Sequence, residues 1–240
     1  METVTEREYA VLLLVDRLRI ARAVDIAWLG GYSDFSYCRK GLGKLHKMGL
    51  LQITRDAVGA NCYYLSGQGL AVIGKKTSHP YEVSYTTNHA LLVGRVCSWL
   101  KITEGADPNA MLTDAILRAN GANQRHRPDI VLGRKAFEVE LNHKPLGILM
   151  KNIQANDSYG SQVWITPDSR PGIARNLLAC AEKVGVEIKV IPLSEIEKQV
   201  SAANIHENSS CSESGTDIES VVSIPINSSM DKYAAYLDEL

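Results

Sequence analysis

The stretch 128–141 limits the fold more than any other part of the chain. Pro128-Asp129-Ile130-Val131-Leu132 and Ala136-Phe137-Glu138-Val139-Glu140-Leu141 are two strand-like runs joined by Gly133-Arg134-Lys135. A connection that short joins antiparallel neighbours. Strand side chains alternate, so Glu138 and Glu140 share a face, with Cβ atoms about 6–7 Å apart, while Phe137, Val139 and Leu141 take the core face. Antiparallel pairing lets Asp129 lie across the same face as the two glutamates. Three carboxylates on one sheet surface repel one another, and a divalent cation with hard oxygen ligands relieves that repulsion. His143 and Lys144 follow one short turn later, and a carboxylate pair with a nearby lysine can hold Mg²⁺, activate water and steady a phosphorane. The competing reading makes Glu138 and Glu140 the solvent face of an edge strand, with Asp129 capping a turn.

The remainder of 79–200 fits around this hairpin. Helical spacing predicts helices near Asn88–Lys101, Pro145–Asn156 and Pro171–Val184, the last ended by Gly185. Strands are predicted at Gln162–Ile165 and Val186–Ile191, with a strand or short helix at Met111–Arg118. That order describes a mixed sheet flanked by helices. Trp28, Trp99 and Trp164 fall in apolar runs and are expected in the core. His89 and His143 are read as structural or surface residues.

Residues 1–78 carry a different pattern. Thr5-Glu6-Arg7-Glu8 has the capping-box form, and Val11, Leu12, Leu14, Val15 and Leu18 recur at helical spacing. A second helix near Arg22–Leu29 ends at Gly30-Gly31, and a third, Phe35–Met48, buries Phe35, Cys38, Leu42, Leu45 and Met48. Arg39, Lys40, Lys44 and Lys47 lie opposite that apolar stripe. Two strands, Leu50–Thr54 and Cys62–Leu65, follow with Arg55 at the hairpin tip. Three helices and a two-stranded wing form the layout of a winged helix-turn-helix, whose third helix sits in the major groove. The basic face is therefore a candidate DNA contact, with His46 a further phosphate contact; a plain solvated face is the alternative. Gly41 and Gly43 inside this helix each cost about 1 kcal/mol relative to alanine.

The 240-residue chain has a formal charge of −1, which conceals a gradient. Residues 1–80 hold eleven Lys+Arg against seven Asp+Glu, residues 81–200 are nearly neutral, and residues 201–240 hold one lysine against seven acids. The last zone, with Asn208-Ser209-Ser210-Cys211-Ser212, reads as a disordered acidic tail; its end, Met230–Leu237, reads as a frayed terminus, with a short amphipathic helix on a partner as the alternative. No apolar run is long enough to span a bilayer and the N-terminus is too acidic for a signal peptide, so the protein is expected in the cytoplasm. Five cysteines without a CxxC pair argue against a disulfide frame or zinc cluster.

The acidic constellation resembles the PD-(D/E)xK nuclease superfamily, with Pro128-Asp129 as the PD element and Glu138-Val139-Glu140 as the second element. Glu140 stands where lysine is usual, as it does in some restriction enzymes of that superfamily, and Lys144 can supply the charge from a shifted position. More specifically, Arg127-Pro128-Asp129-Ile130-Val131-Leu132 with Phe137-Glu138-Val139-Glu140-Leu141-Asn142-His143-Lys144 is similar to the replication-relaxation family and MobC-type plasmid mobilisation relaxases. Asn88-His89-Ala90 and Tyr63-Tyr64-Leu65-Ser66-Gly67-Gln68-Gly69 add to the likeness, which covers about residues 5–195.

The resemblance implies an α+β protein: a winged helix over 1–78, a restriction-endonuclease-like mixed α/β domain over 79–200, and the tail over 201–240. It implies a DNA-nicking activity in which Asp129, Glu138 and Asp114 hold Mg²⁺ or Mn²⁺ while Glu140 and Lys144 orient water and stabilise the transition state. Arg39, Lys40, Lys44, Lys47 and Arg55 would bind double-stranded DNA. The tail would recruit other mobilisation proteins, and a homodimer is left open. Because the usual lysine is missing, the alternative is an inactive DNA-binding regulator that uses the nuclease-like domain as a platform. A tyrosine nucleophile such as Tyr159 is not indicated.

Overall fold

In the computed structural model the described residues are 3–75, 81–84, 86–119, 121 and 126–203. The first part consists of α1 (Glu6–Leu18), β1 (Ile20–Arg22), α2 (Ala23–Leu29), α3 (Phe35–Lys47), β2 (Leu51–Arg55), β3 (Asn61–Leu65) and α4 (Gly67–Val72). Helix α1 starts as its sequence requires. The Thr5 hydroxyl accepts from the Glu8 amide, and the Glu8 carboxylate accepts from the Thr5 amide, which closes the capping box. Asp34 caps α3 by accepting from the Ser36 amide, and Cys38, Leu42 and Leu45 form its buried stripe.

The β2–β3 hairpin is joined by β1, which pairs antiparallel with β3 and gives the order β1-β3-β2. The sequence pattern does not signal β1, because a three-residue strand between two helices is too short for alternation to show. Nor does it signal α4, which is held by Ser66: its hydroxyl accepts from Gly69 N and donates to Gly49 O. A Cβ on Gly69 would lie 2.1 Å from Leu50 O, so glycine is required for α4 to approach the start of β2.

The second part comprises α5 (Thr87–Glu104), β4 (Met111–Thr113), α6 (Asp114–Ala119), β5 (Ile130–Leu132), β6 (Lys135–Val139), α7 (Leu146–Asn156), β7 (Ser161–Thr166), α8 (Pro171–Val184), β8 (Lys189–Pro192) and α9 (Leu193–Ala202). Its sheet has the order β4-β5-β6-β7-β8. The first three strands are antiparallel neighbours, and β6, β7 and β8 run parallel. The chain is thus a mixed α+β protein with two sheets among the described residues.

Helix α5 lies at the centre, with every residue from Leu91 to Leu100 buried. A helix covered all round has no polar stripe, which is why its sequence is apolar nearly throughout. Leu12, Val15 and Ile26 of the first part share one core with Val96, Leu100, Phe137, Ile165 and Ile196 of the second. A separate cluster of Leu149, Ile153, Trp164, Ile173 and Leu177 joins β7 to α7 and α8. Polar links reinforce the junction: Ser98 Oγ donates to Asp25 Oδ1 at 3.0 Å, and Thr113 Oγ1 donates to the Arg17 carbonyl at 2.8 Å.

Helix α9 includes Ser201 and Ala202, which the sequence alone places in the disordered tail. Its apolar residues Ile196 and Val200 pack into the main core, and that burial holds the helix. The remainder of the predicted tail, 204–240, and the predicted boundary between 78 and 79 lie outside the described residues. No helix among the described residues is long and apolar enough to cross a membrane.

Candidate functional site

Sheet pairing brings the predicted acids together. Ile130 is opposite Phe137, so Asp129 stands beside Glu138 at the next step of the β5–β6 ladder. Asp129 Oδ2 accepts from the Val139 amide at 2.8 Å and meets His89 Nε2 at 3.1 Å. The same Nε2 is 3.1 Å from the Val139 carbonyl. A carbonyl can only accept, so Nε2 carries the proton and the imidazole is locked to both partners. Burial works against its charged form, but the hydrogen bond and charge of Asp129 prevail, and the His89 pKa is raised.

Glu138 does not face solvent. Its strand carries Phe137 and Val139 toward α5, while Glu138, 6% exposed, lies against α7. Its Oε1 accepts from Asn156 Nδ2 at 2.8 Å and sits 2.6 Å from His126 Nε2. Burial pushes the Glu138 carboxyl up from 4.5 to about 7; His126 and Asn156 oppose the shift and the charge of Asp129 adds to it. The edge-strand reading of the two glutamates is therefore wrong, because α7 covers that face. Glu140 is also buried, and Lys144 Nζ reaches its Oε2 at 2.6 Å across one turn of loop.

Asp114 is not brought into this group. Its amide donates to the Asp129 carbonyl, but its carboxylate binds Arg118 Nε at 2.7 Å and Arg127 Nε at 3.0 Å. Among the described residues no three or more Asp, Glu, His or Cys side chains converge as a metal-binding group. Asp129 and Glu138 still suit a hard cation as a pair. The hydrogen bonds described above use only one oxygen of each, and Mg²⁺ is commonly held by one or two carboxylates, with water and phosphate completing the shell. Buried Asn156 Oδ1, beside Glu138, also lacks a hydrogen-bond partner.

The basic residues lie elsewhere. On α3, Arg39, Lys40 and Lys47 are exposed, as is Arg55 at the end of β2. Lys44 is not equivalent to them, because its ammonium pairs with Glu8 at 2.8 Å, the same carboxylate that caps α1. His46 turns its Nδ1 to the Leu51 carbonyl at 3.0 Å. A Cβ on Gly43 would meet nothing within 4 Å, and one on Gly41 only the Tyr32 hydroxyl at 3.9 Å, so packing does not require either glycine. The hairpin tip is stiffened by Asp56, which accepts from the amides of Val58 and Ala60 and from Arg22 Nε.

His126 and Asn156 are not foreseeable from the sequence: His126 directly precedes the Arg127-Pro128-Asp129 run but no recognisable spacing ties it to Glu138, and Asn156 lies on α7, 18 residues beyond that glutamate. His89 is visible as the opening of a helix, but its contact with Asp129 depends on the fold. Comparisons with protein-family models, curated proteins and solved structures find no match.

Proposed function

We propose that this protein binds double-stranded DNA through the exposed cations of α3 and the β2–β3 hairpin and cuts one strand at Asp129 and Glu138. The observation that carries the reading is the pairing of β5 with β6, which sets two carboxylates from separate motifs side by side, each with one oxygen unused by the protein hydrogen bonds described. Three helices followed by a hairpin support a winged-helix head, and the mixed sheet bearing the acids supports a nuclease-like body. Mg²⁺ or Mn²⁺, when bound, supplies Lewis-acid stabilisation of the phosphate and a more acidic water. Asp129 and Glu138 would hold the cation. Lys144, exposed on one side and paired with Glu140 on the other, offers positive charge to a phosphoryl oxygen. His89 and the Val139 amide fix the Asp129 carboxylate.

A second reading, a DNA-binding regulator without cleavage, is favoured by the Asp114 ion pairs and by the hydrogen bonds that already hold Asp129 and Glu138. In either case the acidic residues of 204–240 are proposed to recruit other mobilisation proteins. Incubating the full chain with supercoiled plasmid carrying its own upstream region separates the two. Open circles that form with Mn²⁺ or Mg²⁺ and not with chelator support the nickase; binding without open circles supports the regulator.

A further inference from the structure

Strands β6, β7 and β8 run parallel and pair in register, so the segments that leave them, 141–145, 167–170 and the start of α9, lie at one end of the sheet. Strand β5 runs against β6 and therefore begins at that same end, which is where Asp129 stands beside Glu138. In open sheets with helices on their faces, ligands settle at the carboxyl ends of the parallel strands. Cations collect there beside the acids. His143, Lys144, Arg170 and Arg175 are all exposed. Arg170 Nη1 donates to the Leu141 carbonyl at 3.0 Å and to Asn142 Oδ1 at 2.8 Å, which ties the loop after β6 to the loop after β7. The His143 ring and the Arg175 guanidinium approach each other over Gly172: a Cβ there would lie 3.1 Å from His143 Cε1 and 3.9 Å from Arg175 Nη2. Among the described residues neither arginine pairs with a carboxylate. Nearby acids are already engaged. Glu140 takes Lys144, and Asp168 accepts from the Ser194 hydroxyl at 2.6 Å and from its amide at 3.0 Å.

An exposed guanidinium without an internal counter-ion suits the oxygens of a phosphate, which it meets with paired donors. These cations lie outside α3 and the β2–β3 hairpin, so the winged-helix head does not account for them. We propose that Arg170, Arg175 and His143 form a second DNA-contact surface, on the body, which takes the backbone phosphates next to the bond that faces Asp129 and Glu138. The proposal rests on the DNA-binding reading and adds a contact that the α3 face does not supply. Contacts of this kind position a strand without reading its sequence. The head would hold the duplex, and the body surface would lay one strand across the acids. Arg170 serves twice, since the bonds that tie it to Leu141 and Asn142 also steady the loop that carries Lys144.

Fluorescence anisotropy of the full chain on duplex DNA from its own upstream region, repeated over a series of salt concentrations, tests this surface. Arg175→Gln removes a charge that no hydrogen bond or ion pair among the described residues uses, so the melting temperature should hold. The slope of log affinity against log salt should fall by about one, the share of a single phosphate. Arg170→Gln combined with Arg175→Gln should lower it by about two; if that double variant fails to fold, Arg175→Gln decides. Lys183→Gln removes an exposed charge from the last turn of the same helix and should leave the slope at the wild-type value. A slope unchanged in Arg175→Gln, or lowered as much by Lys183→Gln, would overturn the surface while wild-type binding still upholds the DNA reading. Wild-type protein that fails to bind the duplex would overturn the DNA reading and this surface with it.

Discussion

Replacing Glu138 by glutamine tests the buried carboxylate that the proposed site depends on. The carboxyl titrates at 4.5 when free and at about 7 in the fold. As pH rises past the lower value the unfolded chain releases its proton while the folded chain keeps it, so stability falls across the interval between the two. That difference corresponds to about 3 kcal/mol, all of it lost above the folded value. His89 acts in the same direction: its pKa is raised in the fold, so the stability it adds at low pH disappears as pH rises through that value. Comparing wild type with Glu138→Gln reads the glutamate together with its contact to His126, and leaves His89 with only the loss of a small field. Glutamine keeps an oxygen for Asn156 Nδ2 and stays neutral. Urea unfolding in chelator at about pH 5 should find the two proteins within about 1 kcal/mol, and at about pH 8 the variant should be more stable by up to about 3 kcal/mol. Parallel pH dependences, or a variant less stable at the higher pH, would refute the argument that burial of the Glu138 carboxylate outweighs the help of His126 and Asn156.

Gly43→Ala should raise stability by about 1 kcal/mol in thermal unfolding, since the added methyl meets nothing and the helix gains propensity; if α3 seats closely on a duplex, DNA affinity should fall at the same time. Gly69→Ala should cost about 3 kcal/mol, because its Cβ would overlap the Leu50 carbonyl and α4 would have to move. Replacing Lys40 and Lys47 together by alanine should reduce the slope of log affinity against log salt by about two, one for each phosphate that is no longer neutralised. Lys44→Ala should change that slope less, as its charge is already spent on Glu8.

Much of the element order can be read in the sequence because its signals are local. Thr5 and Glu8 cap α1, Gly185 ends α8, and the Gly133 turn closes the β5–β6 hairpin with φ of +58°. Elements whose only support is tertiary are not legible: β1 exists because β3 offers it an edge, and α9 because Ile196 and Val200 find the core beside α5. The site divides in the same way. Asp129, Glu138 and the Glu140–Lys144 pair can be found from spacing within one hairpin and its following turn. His126 and Asn156 cannot, since only the packing of α7 on the sheet brings Asn156 to Glu138. Alternation suggests a solvated face for the glutamates, but a strand in the middle of a mixed sheet has both faces covered.

Cleavage at Asp129 is tested most directly by plasmid nicking with Asp129→Asn set against wild type at matched DNA occupancy. The substitution removes the carboxylate charge and keeps an oxygen for the Val139 amide, so fold and DNA affinity should persist. Open circles should form from the wild-type protein with Mn²⁺ or Mg²⁺, and conversion by the variant should be at least about a hundredfold slower, about 3 kcal/mol of lost transition-state stabilisation. Equal rates in the two proteins, or no conversion by wild type with either cation, would contradict the proposed cleavage.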